Sequence, residues 1–268
     1  MIRTAGLVSA LALALAAGGC ASMNASGSDM PPLPASATAP VQYVRDVHSY
    51  ARPEIAHVRH VSLDLSADFS AKTLSGSATL DVQGVAGATE VILDVRDLDI
   101  RSVADAAGAP LQFTVGASDP ILGRPLTVRF PALAAGATQK IVIRYSTRPD
   151  AAALQWLTPA QTAGGRQPYL FSQGQAILTR TWVPTQDSPG IRQTWDARIV
   201  APSDLKVVMS AETLTTEGEA VDGGKAWRFR MTNPVPPYLI ALGVGDVEFA
   251  AIDHRTGVWT EPSRLHAA

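Results

Sequence analysis

The chain has 268 residues, with 22 Lys and Arg against 24 Asp and Glu for a net charge of −2; 46% of it is apolar and 17% charged. This balance excludes a disordered tail, which needs low apolar content and a large net charge. It also argues against a nucleic-acid binder, because no basic excess exists to displace counterions from phosphates.

The first residues read as an export signal. Arg3 supplies a positive start, Leu7 to Ala17 is uncharged and rich in Ala and Leu, and small residues Ala17, Gly18 and Gly19 precede Cys20. The apolar run is too short for a permanent span. Cys20 is the only cysteine and sits where a bacterial lipoprotein signal is cut, which predicts lipidation at Cys20 and export to the periplasm. The membrane would be touched through that lipid only. Residues 20–43 are rich in Ser, Ala and Pro and read as a tether, and a β-domain is expected over 44–258.

From His57 the pattern has period two. Val61, Leu63 and Leu65 face one way while His60, Ser62 and Asp64 face the other. Leu74 to Val82 repeats the alternation after a loop at Asp68 to Lys72, so the two runs predict a hairpin with one buried face. Further strands are expected at Val91 to Val95, Leu98 to Val103, Leu111 to Val115, Leu126 to Phe130 and Ile141 to Tyr145. Beyond these the pattern predicts strands at Tyr169 to Ser172, Gln175 to Thr181, Thr194 to Val200, Lys206 to Ala211, Trp227 to Met231 and Tyr238 to Val244. A helical turn is expected only within Ala151 to Gln161. The fold class is therefore all-β, an antiparallel sandwich or saddle.

Catalytic motifs are scarce. No histidine is followed by Glu, so the H-E-x-x-H helix of zinc peptidases is not present in these residues. His57 and His60 are three apart in a strand and are expected on opposite faces, a poor chelating pair. Gly243-Val-Gly245 reads as a turn at a strand end, and Pro184 to Pro189 as a rigid loop whose turn Asp187 could cap. Gln173 and Gln175, separated by Gly174, are expected on one side of an extended segment, where two neutral amides can donate and accept without titrating. The glycine would permit close approach by a ligand or another segment.

The runs Leu154-Gln-Trp-Leu-Thr-Pro159, Gln161-Thr162, Pro168 to Ala176 and Tyr238-Leu-Ile-Ala-Leu242 are more specific. Together they resemble the N-terminal domain of the leukotriene A4 hydrolase branch of the M1 zinc aminopeptidase family. Trp182 to Pro189 resembles that family's proline-bounded loop, with Thr185 where a cysteine is usual. The resemblance implies a saddle-shaped β-domain packed on a thermolysin-like catalytic domain. It also implies that Gln175, with Gln173 beside it, reaches the substrate cleft near the free amino end of a peptide. Residues 259–268 would be the start of the catalytic domain, which is expected to be missing, so that zinc would bind elsewhere and this chain would be inactive alone. Two alternatives stand beside a truncated aminopeptidase: a stand-alone β-domain lipoprotein that binds peptides or a partner, and an unrelated hydrolase.

Overall fold

The computed structural model describes residues 43–267. The signal, Cys20 and the tether as far as residue 42 lie outside these residues. Among the described residues seventeen strands run in chain order. They begin with β1 (Ala56–Asp68), β2 (Thr73–Gly84), β3 (Glu90–Val95), β4 (Asp99–Asp105), β5 (Phe113–Val115) and β6 (Arg124–Arg129). β7 (Thr138–Ser146), β8 (Leu154–Leu157), β9 (Tyr169–Ser172), β10 (Gln193–Ala201), β11 (Lys206–Met209) and β12 (Glu212–Thr213) follow. β13 (Glu219–Val221), β14 (Gly224–Val235), β15 (Leu242–Gly245), β16 (Glu248–Ala251) and β17 (Gly257–Thr260) complete the set. The helical pieces among the described residues are short 3-10 turns, so the all-β expectation holds.

The long sheet has the order β12-β14-β10-β1-β2-β7-β4, with β13 also on β14. Among the described strands only β1 and β10 pair in parallel; His60 lies opposite Thr194 and Leu65 opposite Ile199. Three smaller sheets have the orders β3-β6-β5, β11-β15-β9-β8 and β16-β17. The inner face of the long sheet is formed by alternate residues: Val61, Leu63 and Leu65 of β1, Leu80 and Val82 of β2, Ile141 and Ile143 of β7, and Trp195 and Ile199 of β10, all buried. Period two therefore sets both the strands and the core. Each such side chain contributes roughly 1.5–3 kcal/mol by leaving water.

Several local expectations are overturned. Residues 175–181 are a turn followed by a 3-10 turn at Thr179–Thr181, not a strand. Their apolar residues do not alternate, and Leu178 N–H closes back on Gly174 O at 2.9 Å. The helical turn expected within 151–161 is present only as the 3-10 turn Pro159–Gln161, and Leu154–Leu157 before it is strand β8. The strand expected from Tyr238 begins at Leu242, after a 3-10 turn at Pro237–Leu239.

Gly243-Val-Gly245 is buried strand β15, not a turn. A Cβ on Gly245 would lie 2.1 Å from the Tyr169 ring, and one on Gly243 3.1 Å from its hydroxyl. The two glycines clear the strand surface so that Tyr169 can lie across it.

His57 and His60 point to the same face. A bulge shifts the register between Val58 and His60, so Val58 and Val61 are both buried and the residues between them both turn outward. His60 Nδ1 lies 2.6 Å from Thr194 Oγ1 and its Nε2 2.7 Å from Asp196 Oδ2, while His57 Nδ1 takes the Tyr43 hydroxyl at 2.6 Å. Each ring is engaged by a different neighbour.

Candidate functional site

The sheet β11-β15-β9-β8 ends in the segment that carries the two glutamines. As β9 leaves its ladder, Gln173 N–H donates to Ala153 O at 2.7 Å. Gly174 is buried; a Cβ there would lie 2.7 Å from Thr179 Oγ1 and 3.0 Å from Tyr238 Cα. The close approach expected at this glycine is thus made by the Pro237–Leu239 turn. The peptide bond from Gln175 to Ala176 is cis.

Gln173 and Gln175 are both exposed and adjacent, but they are not twin prongs of a strand. Gln173 folds back so that its Oε1 accepts the Gln175 N–H at 3.2 Å. The Gln175 side-chain amide has no hydrogen-bond partner among the described residues. One glutamine therefore shapes the turn, and the other offers a donor and an acceptor to whatever approaches. Phe171, 37% exposed, and Leu239, 45% exposed, supply apolar surface beside this turn.

Behind the turn lies a polar cluster that sequence reasoning missed. Arg180 is fully buried. Its main-chain N–H and Nε both donate to Asp187 Oδ2, at 3.0 and 3.1 Å. Its Nη1 donates to Leu122 O at 2.7 Å, and its Nη2 to His48 O at 2.9 Å and Asp187 O at 2.8 Å. Asp94, also buried, is 3.8 Å from Nη1 and accepts Ser49 Oγ–H, Tyr50 N–H and Asp187 N–H. Burial pushes the Asp187 carboxyl up to about 6, against the pull of Arg180, and burial likewise raises Asp94. Asp187 thus does not cap its own turn, as its place in a Pro-rich loop suggested; it reaches back to Arg180.

Residues 181–188 are all buried. Gln186 bridges to β1, its Oε1 accepting Val58 N–H at 2.9 Å and its Nε2 donating to Ala56 O at 2.8 Å. Thr185 Oγ1–H donates to Gln193 Oε1 at 3.0 Å. The segment after Gln175 is therefore anchored to β1, β3 and β10 through polar side chains. The readable signal was an arginine between the apolar pairs Ile177-Leu178 and Trp182-Val183, since a cation that such flanks bury must be paired.

A zinc ion finds no cradle here. Among the described residues no group of three or more His, Cys, Asp or Glu is placed to hold a metal.

The family model described as the peptidase M1 N-terminal domain matches residues 54–239. A leukotriene A-4 hydrolase of Xenopus laevis is 37% identical over 223 residues, covering 82% of this chain and 36% of its own length. A leucine aminopeptidase 2 of Yarrowia lipolytica is 37% identical, covering 83% and 33%. Among solved structures, a yeast leukotriene A-4 hydrolase in complex with bestatin superposes with a TM-score of 0.74 at 31% identity, over 85% of this chain and 34% of that one. A zinc metallopeptidase of Deinococcus radiodurans shares the fold, with a TM-score of 0.60 at 22% identity, over 77% of this chain and 46% of that one. The chain spans about a third of the length of the curated relatives it matches.

Proposed function

The chain belongs to the peptidase M1 N-terminal domain family, and from that premise we propose that it is the β-domain that lends Gln175 to the peptide cleft of a zinc aminopeptidase. The observation that carries this reading is the unpartnered, exposed amide of Gln175 on a turn held by Gln173, Tyr238 and the Arg180 cluster. A peptide's free amino end is an ammonium with three donors. The Gln175 carbonyl oxygen can accept one of them, beside a carboxylate from another segment, and a hydrogen bond to a charged partner is worth roughly 1.5–3 kcal/mol.

The residues described do not fit zinc, so the metal and its water-activating chemistry belong to a thermolysin-like catalytic domain. This chain's part is to bind and orient the peptide; alone it hydrolyses nothing. Cys20 carries a lipid and holds the exported protein at the periplasmic face of a membrane. The exposed Phe249, Ile252 and Trp259 favour a domain packed against this face over an isolated binding module.

The test is to assay amino-acid anilides with the chain alone and with an M1 catalytic domain supplied in the same polypeptide. Activity only in the joined protein, weakened by Gln175→Ala, is the expected outcome. Hydrolysis by the metal-stripped chain alone would sink the reading.

A further inference from the structure

A second site lies at the other end of the β9 strand. A cavity of about 240 Å³ is lined by Leu157, Thr162, Tyr169, Val247, Trp259 and Glu261 among others. Its walls mix aromatic and aliphatic surface with a few polar groups, the usual make-up of a small-ligand site. Glu261 is the sole charged residue lining it.

That carboxylate is held in place. Glu261 Oε2 accepts Ala163 N–H at 2.8 Å and Oε1 accepts Gly164 N–H at 3.1 Å, so each oxygen keeps an unused lone pair. Tyr169 is fixed as well, laid over Gly243 and Gly245. Its hydroxyl finds no partner among the described residues, and burial and then the Glu261 charge both push its ionisation up. Trp259 already attracts an ammonium: Lys206 Nζ lies 5.6 Å from its ring centroid. Lys206 is not among the cavity-lining residues, which leaves Glu261 unmatched.

We propose that this cavity binds a primary ammonium on a short aliphatic chain, with the head on Glu261 and the methylenes between Tyr169 and Trp259. Charge-assisted hydrogen bonding and the aromatic faces favour the cation over an uncharged isostere. The ammonium can come from a lysine side chain or from a free diamine. The proposal does not involve Gln175 and stands or falls separately from the aminopeptidase reading.

The test titrates the purified full chain with cadaverine, Nα-acetyl-lysine methylamide and, as the neutral isostere, Nα-acetyl-norleucine methylamide. Trp259 is the most exposed of the tryptophans, so its indole signal in heteronuclear NMR reports occupancy. Saturable binding of either amine at millimolar concentration is expected, weakened about tenfold by Glu261→Gln, with no saturation by the norleucine compound. Saturation by cadaverine alone assigns the site to free diamines, and saturation by the lysine compound alone assigns it to side chains. If Glu261→Gln does not fold, Trp259→Leu is read through the Thr162 amide and should also weaken binding. Equal binding of norleucine, no saturation by either amine, or unchanged affinity in the variant that folds would overturn the proposal.

Discussion

Arg180 and Asp187 are seven residues apart, yet one carboxylate oxygen of Asp187 takes both the main-chain N–H and the Nε–H of Arg180 at 3.0 and 3.1 Å. The pair closes the segment that follows Gln175 into a buried loop. Replacing Arg180 by Leu would strand Asp94 and Asp187 without their cation. The expected cost is about 3–5 kcal/mol, read from urea unfolding. Arg180→Lys should recover little of it, because an ammonium cannot span the carbonyls of Leu122, His48 and Asp187 as the guanidinium does.

Gly174→Ala would push a methyl to 2.7 Å from Thr179 Oγ1 and 3.0 Å from Tyr238 Cα. The backbone of Tyr238 cannot rotate away, so a loss of about 1–3 kcal/mol is expected in thermal or urea unfolding. Gly245→Ala meets the Tyr169 ring at 2.1 Å and should displace it. Near-ultraviolet circular dichroism would register that change.

Gln175→Ala should leave stability within about 0.5 kcal/mol of the parent, since the side chain is exposed and bonds to nothing described. In a polypeptide joined to an M1 catalytic domain, the same change should lower kcat/KM for peptides with a free amino end by about tenfold or more. Acetylating the substrate amine should erase the difference between parent and variant.

Two buried groups oppose each other in mild acid. Burial, then the charge of Arg59, lowers His57 from 6.5 to about 4. Between those values the unfolded chain holds the extra proton, so the His57 contribution shrinks as pH falls. Burial raises Asp187 from 3.8 to about 6, so the folded chain holds the extra proton and the Asp187 contribution grows as pH falls. His57→Phe should therefore make the protein gain stability on going from pH 6.5 to pH 4.5, whereas Asp187→Asn should make it lose stability faster than the parent. Melting temperatures across that range would show whether the two slopes separate.

The long strands were legible because alternation in β1, β2 and β7 is itself the burial pattern. The pattern puts Gln173 and Gln175 on one side of an extended segment; the structure instead has Gln173 just beyond β9, folded back, and Gln175 opening a turn. What could not be read was tertiary. The bulge that turns His57 and His60 to one face depends on how β1 pairs with β2. The strand identity of Gly243 to Gly245 depends on Tyr169, more than seventy residues earlier. Arg180 looked ordinary because its partners Asp94, Leu122 and His48 come from three remote segments. The exposed hairpin β16–β17 leaves no mark in the sequence because its four-residue strands are too short to show a period.

The side-by-side run of β1 with β10 carries a cost during synthesis. Val61 must wait for Trp195 to leave the ribosome before that flank is covered. Until then the growing polypeptide presents an open ladder to any extended neighbour. Joining partners so remote along the chain also slows assembly. Polypeptides halted before residue 200 should accordingly be the ones that aggregate or require a chaperone.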